Sequence, residues 1–131
     1  MGKPLKRRKL SATDRHIREA MAYDVPYEEF SFGDTLKFFD NKCAYTGQKF
    51  GKKNKASRDH IVPISRGGGY LRNNILPCTR EANSIKGDAD FWEWYKTSKW
   101  YDEKRLKKIV QWLVITGGSI PNEFKQYSEI N

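Results

Sequence analysis

Apolar residues recur at helical spacing toward both ends of this chain and break into short runs between them. Near the start, Ser11 or Thr13 can cap a helix over about residues 13–22. Tyr23 to Phe32 is an aromatic, acidic connector with Pro26 inside it. Gly33-Asp34 precedes a second short helix, about 34–41, to which Leu36, Phe38 and Phe39 bring apolar surface. Toward the other end, Asp88 or Asp90 caps a helix with Phe91, Trp94 and Tyr95 at i, i+3 and i+4. Asp102 starts a longer one. There Leu106, Ile109, Val110, Leu113 and Val114 form a helical stripe, with Lys104, Arg105, Lys107 and Lys108 outside it. Gly117-Gly118 ends that helix, and 119–131 reads as a loose tail. Trp92, Trp94, Trp100 and Trp112 suit core and interface better than a base-stacking platform.

The middle of the chain reads differently. Cys43-Ala44-Tyr45-Thr46-Gly47-Gln48 makes a knuckle-like turn, and Gly51 to Lys55 a basic hairpin tip. Ala56 to Pro63 is a strand, and Arg66 to Asn74 a Gly-rich loop. Asn74 to Pro77 is a second strand that the proline should stop. Thr79 then caps a helix from Arg80 to about Ile85, with Asn83 on its inner face. Helices flanking a small sheet give an α+β fold. At 131 residues this is one domain. Its parts are a basic arm over 1–10, a helical segment over 11–41, a core over 42–88, helices over 89–116 and a tail over 117–131.

Charge adds a partner. The net charge is +9 and the pI about 9.6, a balance that favours nucleic acid over a membrane surface. Residues 37–86 carry eleven basic side chains against Asp40, Asp59 and Glu81, whereas 24–34 carry four acids and no base. Lys6-Arg7-Arg8-Lys9 reads equally as a phosphate-grasping arm or a solvated tail, with a nuclear address as a further option. No apolar run approaches a membrane span and no signal-peptide pattern is present, which suggests a soluble intracellular protein. The two cysteines, Cys43 and Cys78, are too few for a secreted disulfide scaffold.

The candidate chemistry lies in the basic middle. Asp59-His60 closes an apolar run, Pro63 and three glycines force a loop, and Asn74 and Asn83 follow. Asp and Asn offer oxygen to a hard cation, and His is the usual base near neutral pH. Neighbours on a strand leave on opposite faces, so a bend toward Pro63 is needed for one to meet metal and the other water. Arg58, Arg66 and Lys86 are each a candidate phosphate clamp or a solvated charge. Lys52, Lys53, Lys55 and Arg72 join them as candidate DNA contacts. His16, beside Arg15 and Arg18 with no ligand spacing to another His or Cys, reads as a surface or DNA-backbone residue.

Four pieces together resemble the HNH endonucleases: Cys43-Ala-Tyr-Thr-Gly, Asp59-His60-Ile-Val-Pro63, Asn74-Ile-Leu and Asn83-Ser-Ile-Lys86-Gly87. Asn74, Asn83 and Lys86 lie fourteen, twenty-three and twenty-six residues after His60. That register is similar to the HNH domain of RNA-guided CRISPR nucleases, an H-N-N form, and it covers about residues 42–88. The resemblance implies a ββα-metal hairpin–helix core wrapped by the N- and C-terminal helices. It implies His60 as general base, Asp59 and Asn83 as holders of one Mg²⁺ or Mn²⁺, and Asn74 as the brace that orients His60. Members often bind a structural zinc through two Cys-x-x-Cys pairs. Here these read Cys43-Ala-Tyr-Thr46 and Cys78-Thr-Arg-Glu81, so no structural zinc is expected. Two buried thiols under the hairpin are expected instead, with Phe and Trp packing holding the stretch. DNA is the implied partner, cut by a monomer or a homodimer, with the C-terminal helices as the place to look for a dimer face. The size suggests a phage or mobile-element enzyme of a bacterial cytoplasm, or a nuclear one if eukaryotic. The competing reading is a catalytically silent ββα DNA-binding module.

Overall fold

The computed structural model describes residues 11–129, so the basic arm at 1–10 lies outside the described residues. The first helix, α1 (Ala12–Tyr23), begins at a reciprocal cap: Asp14 N donates to Ser11 Oγ at 3.1 Å and Ser11 N to the Asp14 carboxylate at 3.3 Å. Helix α2 (Phe32–Phe38) starts two residues before its expected place, because Ser31 caps it by accepting from Asp34 N. It ends early because Asp40 and Asn41 turn left-handed, with φ of 57° and 56°.

Strand β1 (Ser57–His60) pairs antiparallel with β2 (Ile75–Cys78), in the register Ser57↔Cys78 to His60↔Ile75. Pro77 does not stop β2. Its carbonyl points away from β1 and accepts from Ala44 N at 2.9 Å, so the missing N–H falls on the outer edge, where no ladder bond is lost. Helix α3 (Arg80–Lys86) follows at once, capped by Thr79, whose Oγ1 accepts from Ala82 N at 3.1 Å. Then come α4 (Phe91–Trp94), a 3-10 turn at Tyr95–Thr97 and α5 (Glu103–Thr116), whose cap is Asp102.

Leu106, Ile109, Val110 and Leu113 of α5 are buried, as their spacing requires. Val114 is not: it is 40% exposed, and Trp112 is buried in its stead. Trp112 lies further from the stripe, but α2 covers that side. Phe38 and Phe39 reach its ring at 5.1 and 6.1 Å, and its Nε1 donates to Arg72 O at 3.1 Å. The expected loose tail is also ordered over Asn122–Ser128, where a 3-10 helix sets buried Phe124 against Trp92 at 4.6 Å. Trp92, Trp94 and Trp100 pack half-buried on the same core. Among the described residues no helix is long and apolar enough to cross a membrane.

Candidate active-site cleft

Strand β1 ends at His60 and the chain bends at Ile61-Val62 into Pro63 and a 3-10 turn at Ile64–Arg66. Asn74 fixes that bend. Its Oδ1 accepts from Val62 N at 2.9 Å, and its Nδ2 donates to Val62 O at 3.1 Å and to Gly69 O at 2.9 Å. Its carbonyl accepts from Ile61 N at 2.8 Å. One buried amide thus closes the loop on both rims. The loop comes so close here that a Cβ on Gly68 would lie 1.8 Å from Val62 O, which only glycine avoids.

The bend brings Asp59 and His60 to one cleft of about 560 Å³, with Asn83 and Lys86 of α3, Arg58 of β1 and His16 of α1. Asp59 is buried. Its Oδ2 accepts from Tyr45 Oη and lies 3.1 Å from Lys86 Nζ. Tyr45 is held in turn by Phe91 and Tyr95, stacked and tilted at 5.7 and 5.9 Å, and by the edge of Trp94. Burial pushes the Asp59 carboxyl up, against the downward pull of Lys86 and Tyr45.

Lys86 is not a surface clamp. Its side chain is 1% exposed, and Nζ also donates to His60 O at 2.9 Å. The ammonium therefore neutralises Asp59 and ties the end of α3 to the end of β1. His60 is half-buried, with Nε2 buried and without a hydrogen-bond partner. Its pKa falls to about 4, through burial first and then through His16 and Lys86.

Arg58 lines the same cleft and is pinned. Its Nη1 donates to Tyr70 Oη, and its guanidinium lies 4.5 Å over the Phe32 ring. The other basic candidates stand elsewhere. Lys52, Lys53 and Lys55 form an exposed tip that shares a groove with Arg80, at the far end of β1 from His60. Four strand residues place that tip roughly 10 Å from the His60 end. Arg66 is exposed near Glu93, and Arg72 is exposed with its backbone N bonded to Glu28 Oε1 at 2.7 Å.

Both thiols are buried and free, but Cys78 is the last residue of β2 itself, paired with Ser57, and so lies in the hairpin, not under it. Cys43 Sγ accepts from Thr79 N at 3.4 Å, and burial raises the Cys78 pKa. Among the described residues no three His, Cys, Asp or Glu side chains converge as a metal cage. An ion at the cleft would rest on the Asp59 carboxylate and the Asn83 amide, with water completing its shell. Both side chains line the cleft, and oxygen donors fit a hard divalent ion that keeps several waters.

No family model matches the chain. The Bacillus subtilis (strain 168) protein named "SPbeta prophage-derived putative HNH endonuclease YoqL" is 34% identical over 84 residues. This supports an HNH-family assignment. The match takes in 58% of this chain and 36% of the relative, so the HNH likeness spans about a third of that protein's length.

Two features of the HNH-like cleft escaped the sequence. Tyr45 stands inside the Cys-Ala-Tyr-Thr-Gly piece, yet nothing local shows that it reaches Asp59 fourteen residues on. The sequence suggests a surface or DNA-backbone place for His16. It is half-buried on the cleft wall, and no spacing signal marks it because it comes from outside the hairpin and α3.

Proposed function

We propose that the chain is a metal-dependent HNH endonuclease that hydrolyses DNA phosphodiester bonds. The observation that carries this reading is the meeting of His60, Asp59 and Asn83 on one cleft. His60 is the general base. Its lowered pKa keeps the ring neutral at pH 7, free to take a proton. Water attacks phosphorus and its proton passes to His60, while the bond from phosphorus to the sugar oxygen breaks and that oxygen leaves with the electron pair, taking a proton from solvent water. A phosphate anion beside the ring favours the imidazolium that results. Asp59 and Asn83 hold one Mg²⁺ or Mn²⁺. Bound there, such an ion supplies Lewis-acid polarisation and charge stabilisation for the phosphate. Asn74 keeps the loop, and with it His60, in place. Arg58 grips phosphate inside the cleft, while Lys52, Lys53, Lys55, Arg66 and Arg72 meet the DNA backbone around it.

A catalytically silent DNA-binding module has one observation in its favour: Asp59 already has Lys86 and Tyr45 as partners. Supercoiled plasmid incubated with Mg²⁺, Mn²⁺ or EDTA separates the two readings. The nuclease nicks or linearises the plasmid with metal and leaves it intact in EDTA. An intact plasmid with every metal, while DNA is still bound, establishes the silent module. His60→Ala should lose about 10²–10⁴-fold in cleavage rate while keeping salt-sensitive DNA binding. Equal cleavage by the variant removes His60 from the role of base.

A further inference from the structure

The cleft holds a second imidazole that the reaction above leaves idle. His16 sits on α1, outside the hairpin and α3, and lines the cleft with His60, Arg58 and Asp59. Its ring stacks on Tyr70, with centroids 4.3 Å apart and planes 15° apart. The buried Tyr70 ring meets His60 edge-on at 6.3 Å, and its hydroxyl accepts from Arg58. One tyrosine thus orients three cleft groups: two imidazoles and a guanidinium.

Packing alone does not explain a histidine here. Its Nδ1 is buried with no hydrogen-bond partner among the described residues. A phenylalanine would make the same stack without an unsatisfied polar atom. The other orphan nitrogen of the cleft is His60 Nε2. A buried ring nitrogen left unsatisfied calls for a role beyond packing, such as catalysis or an ordered partner. Burial, and then Arg58 and Arg15, lower the basicity of His16, so the ring rests neutral. A neutral imidazole still carries one N–H donor, and an anion drawn into the cleft by Arg58 can accept it.

We infer that His16 contacts the substrate, donating its ring N–H to a phosphate oxygen of nucleic acid bound across His60. The inference rests on the nuclease reading and extends it: α1 supplies one wall of the cleft, and the sugar–phosphate strand passes between α1 and α3.

The test compares wild type, His16→Phe and His16→Gln on supercoiled plasmid with Mg²⁺ or Mn²⁺, and measures their binding to plain duplex DNA in EDTA. His16→Phe keeps the ring stacked on Tyr70 and removes the donor. His16→Gln restores a donor without the ring. His16→Phe should keep its melting temperature within about 2 °C of wild type. Its cleavage rate at saturating DNA should fall at least about tenfold, and His16→Gln should recover part of that loss. Wild-type cleavage by His16→Phe overturns the inference, because the ring then only packs. A joint loss of activity and melting temperature in His16→Phe, unrecovered in His16→Gln, overturns it too. If wild type leaves the plasmid intact with both metals, the nuclease reading is what fails. The phosphate contact is then judged by binding alone: weaker binding of His16→Phe to duplex DNA in EDTA sustains it, and unchanged binding overturns it.

Discussion

At the scale of single residues, the cleft depends on groups whose chemistry admits few substitutes. Asn74 uses its oxygen as acceptor and its nitrogen as a double donor, toward Val62 N, Val62 O and Gly69 O. Aspartate has the same shape but would turn a carboxylate on two carbonyls. Each buried group left without its partner costs about 1–3 kcal/mol. Asn74→Asp should therefore lose at least about 2 kcal/mol in urea unfolding and most of the cleavage activity. A stability unchanged by this substitution would mean the loop closes without that amide. His60 makes a pH prediction for the metal-free protein. Its pKa is 6.5 unfolded and about 4 folded, so the unfolded chain binds the proton first. Stability is then complete above pH 6.5 and declines as pH falls toward 4, by up to about 3 kcal/mol. Asp59, whose carboxyl is pushed up, works in the opposite sense at the acid end of that window. Thermal unfolding in EDTA over this range should show His60→Ala with the flatter profile of the two proteins.

At the scale of elements, the site is a junction between two ends. The end of α3 meets the end of β1 through Lys86, which touches both the Asp59 carboxylate and His60 O. From behind, the Cys43–Gly47 turn delivers Tyr45 to the same carboxylate, and α4 packs Phe91 and Trp94 on that ring. Aromatic packing and one buried ion pair brace this hairpin. Removing one partner of such a pair leaves an uncompensated buried charge, at about 3–5 kcal/mol. Lys86→Met should show a loss of that order, measured by denaturant titration. An exposed phosphate clamp would lose less than about 0.5 kcal/mol. The same experiment therefore separates the two roles.

At the scale of the molecule, two of the basic sites proposed to meet DNA stand apart. Arg58 lies inside the cleft, and the Lys52–Lys55 tip stands at the far end of β1. If DNA spans both sites, the tip contributes affinity without touching the reacting phosphate. Replacing Lys52, Lys53 and Lys55 together by alanine should flatten the slope of log affinity against log salt by about 2–3, one unit for each lost contact. The cleavage rate at saturating DNA should stay close to wild type. An unchanged slope would place the DNA path away from this loop.

The chain itself determined the order of elements up to α5, because the helices and strands there carry local signals, whereas the Asn122–Ser128 turn carried none. Ser11, Thr79 and Asp102 are caps that hold in the structure, and the α5 stripe from Leu106 to Leu113 is the buried face. It also determined which residues are candidates, since Asp59, His60, Asn74 and Asn83 share one segment at fixed spacing. What each of them touches was decided by tertiary structure. The burial of Lys86, the hold of Tyr45 on Asp59 and the entry of His16 into the cleft all join residues far apart in sequence. Periodicity describes one element's own faces and carries no record of which distant side chain will cover them. For the same reason Trp112 is buried and Val114 exposed: α2 lies on one flank of α5 and leaves the other to solvent.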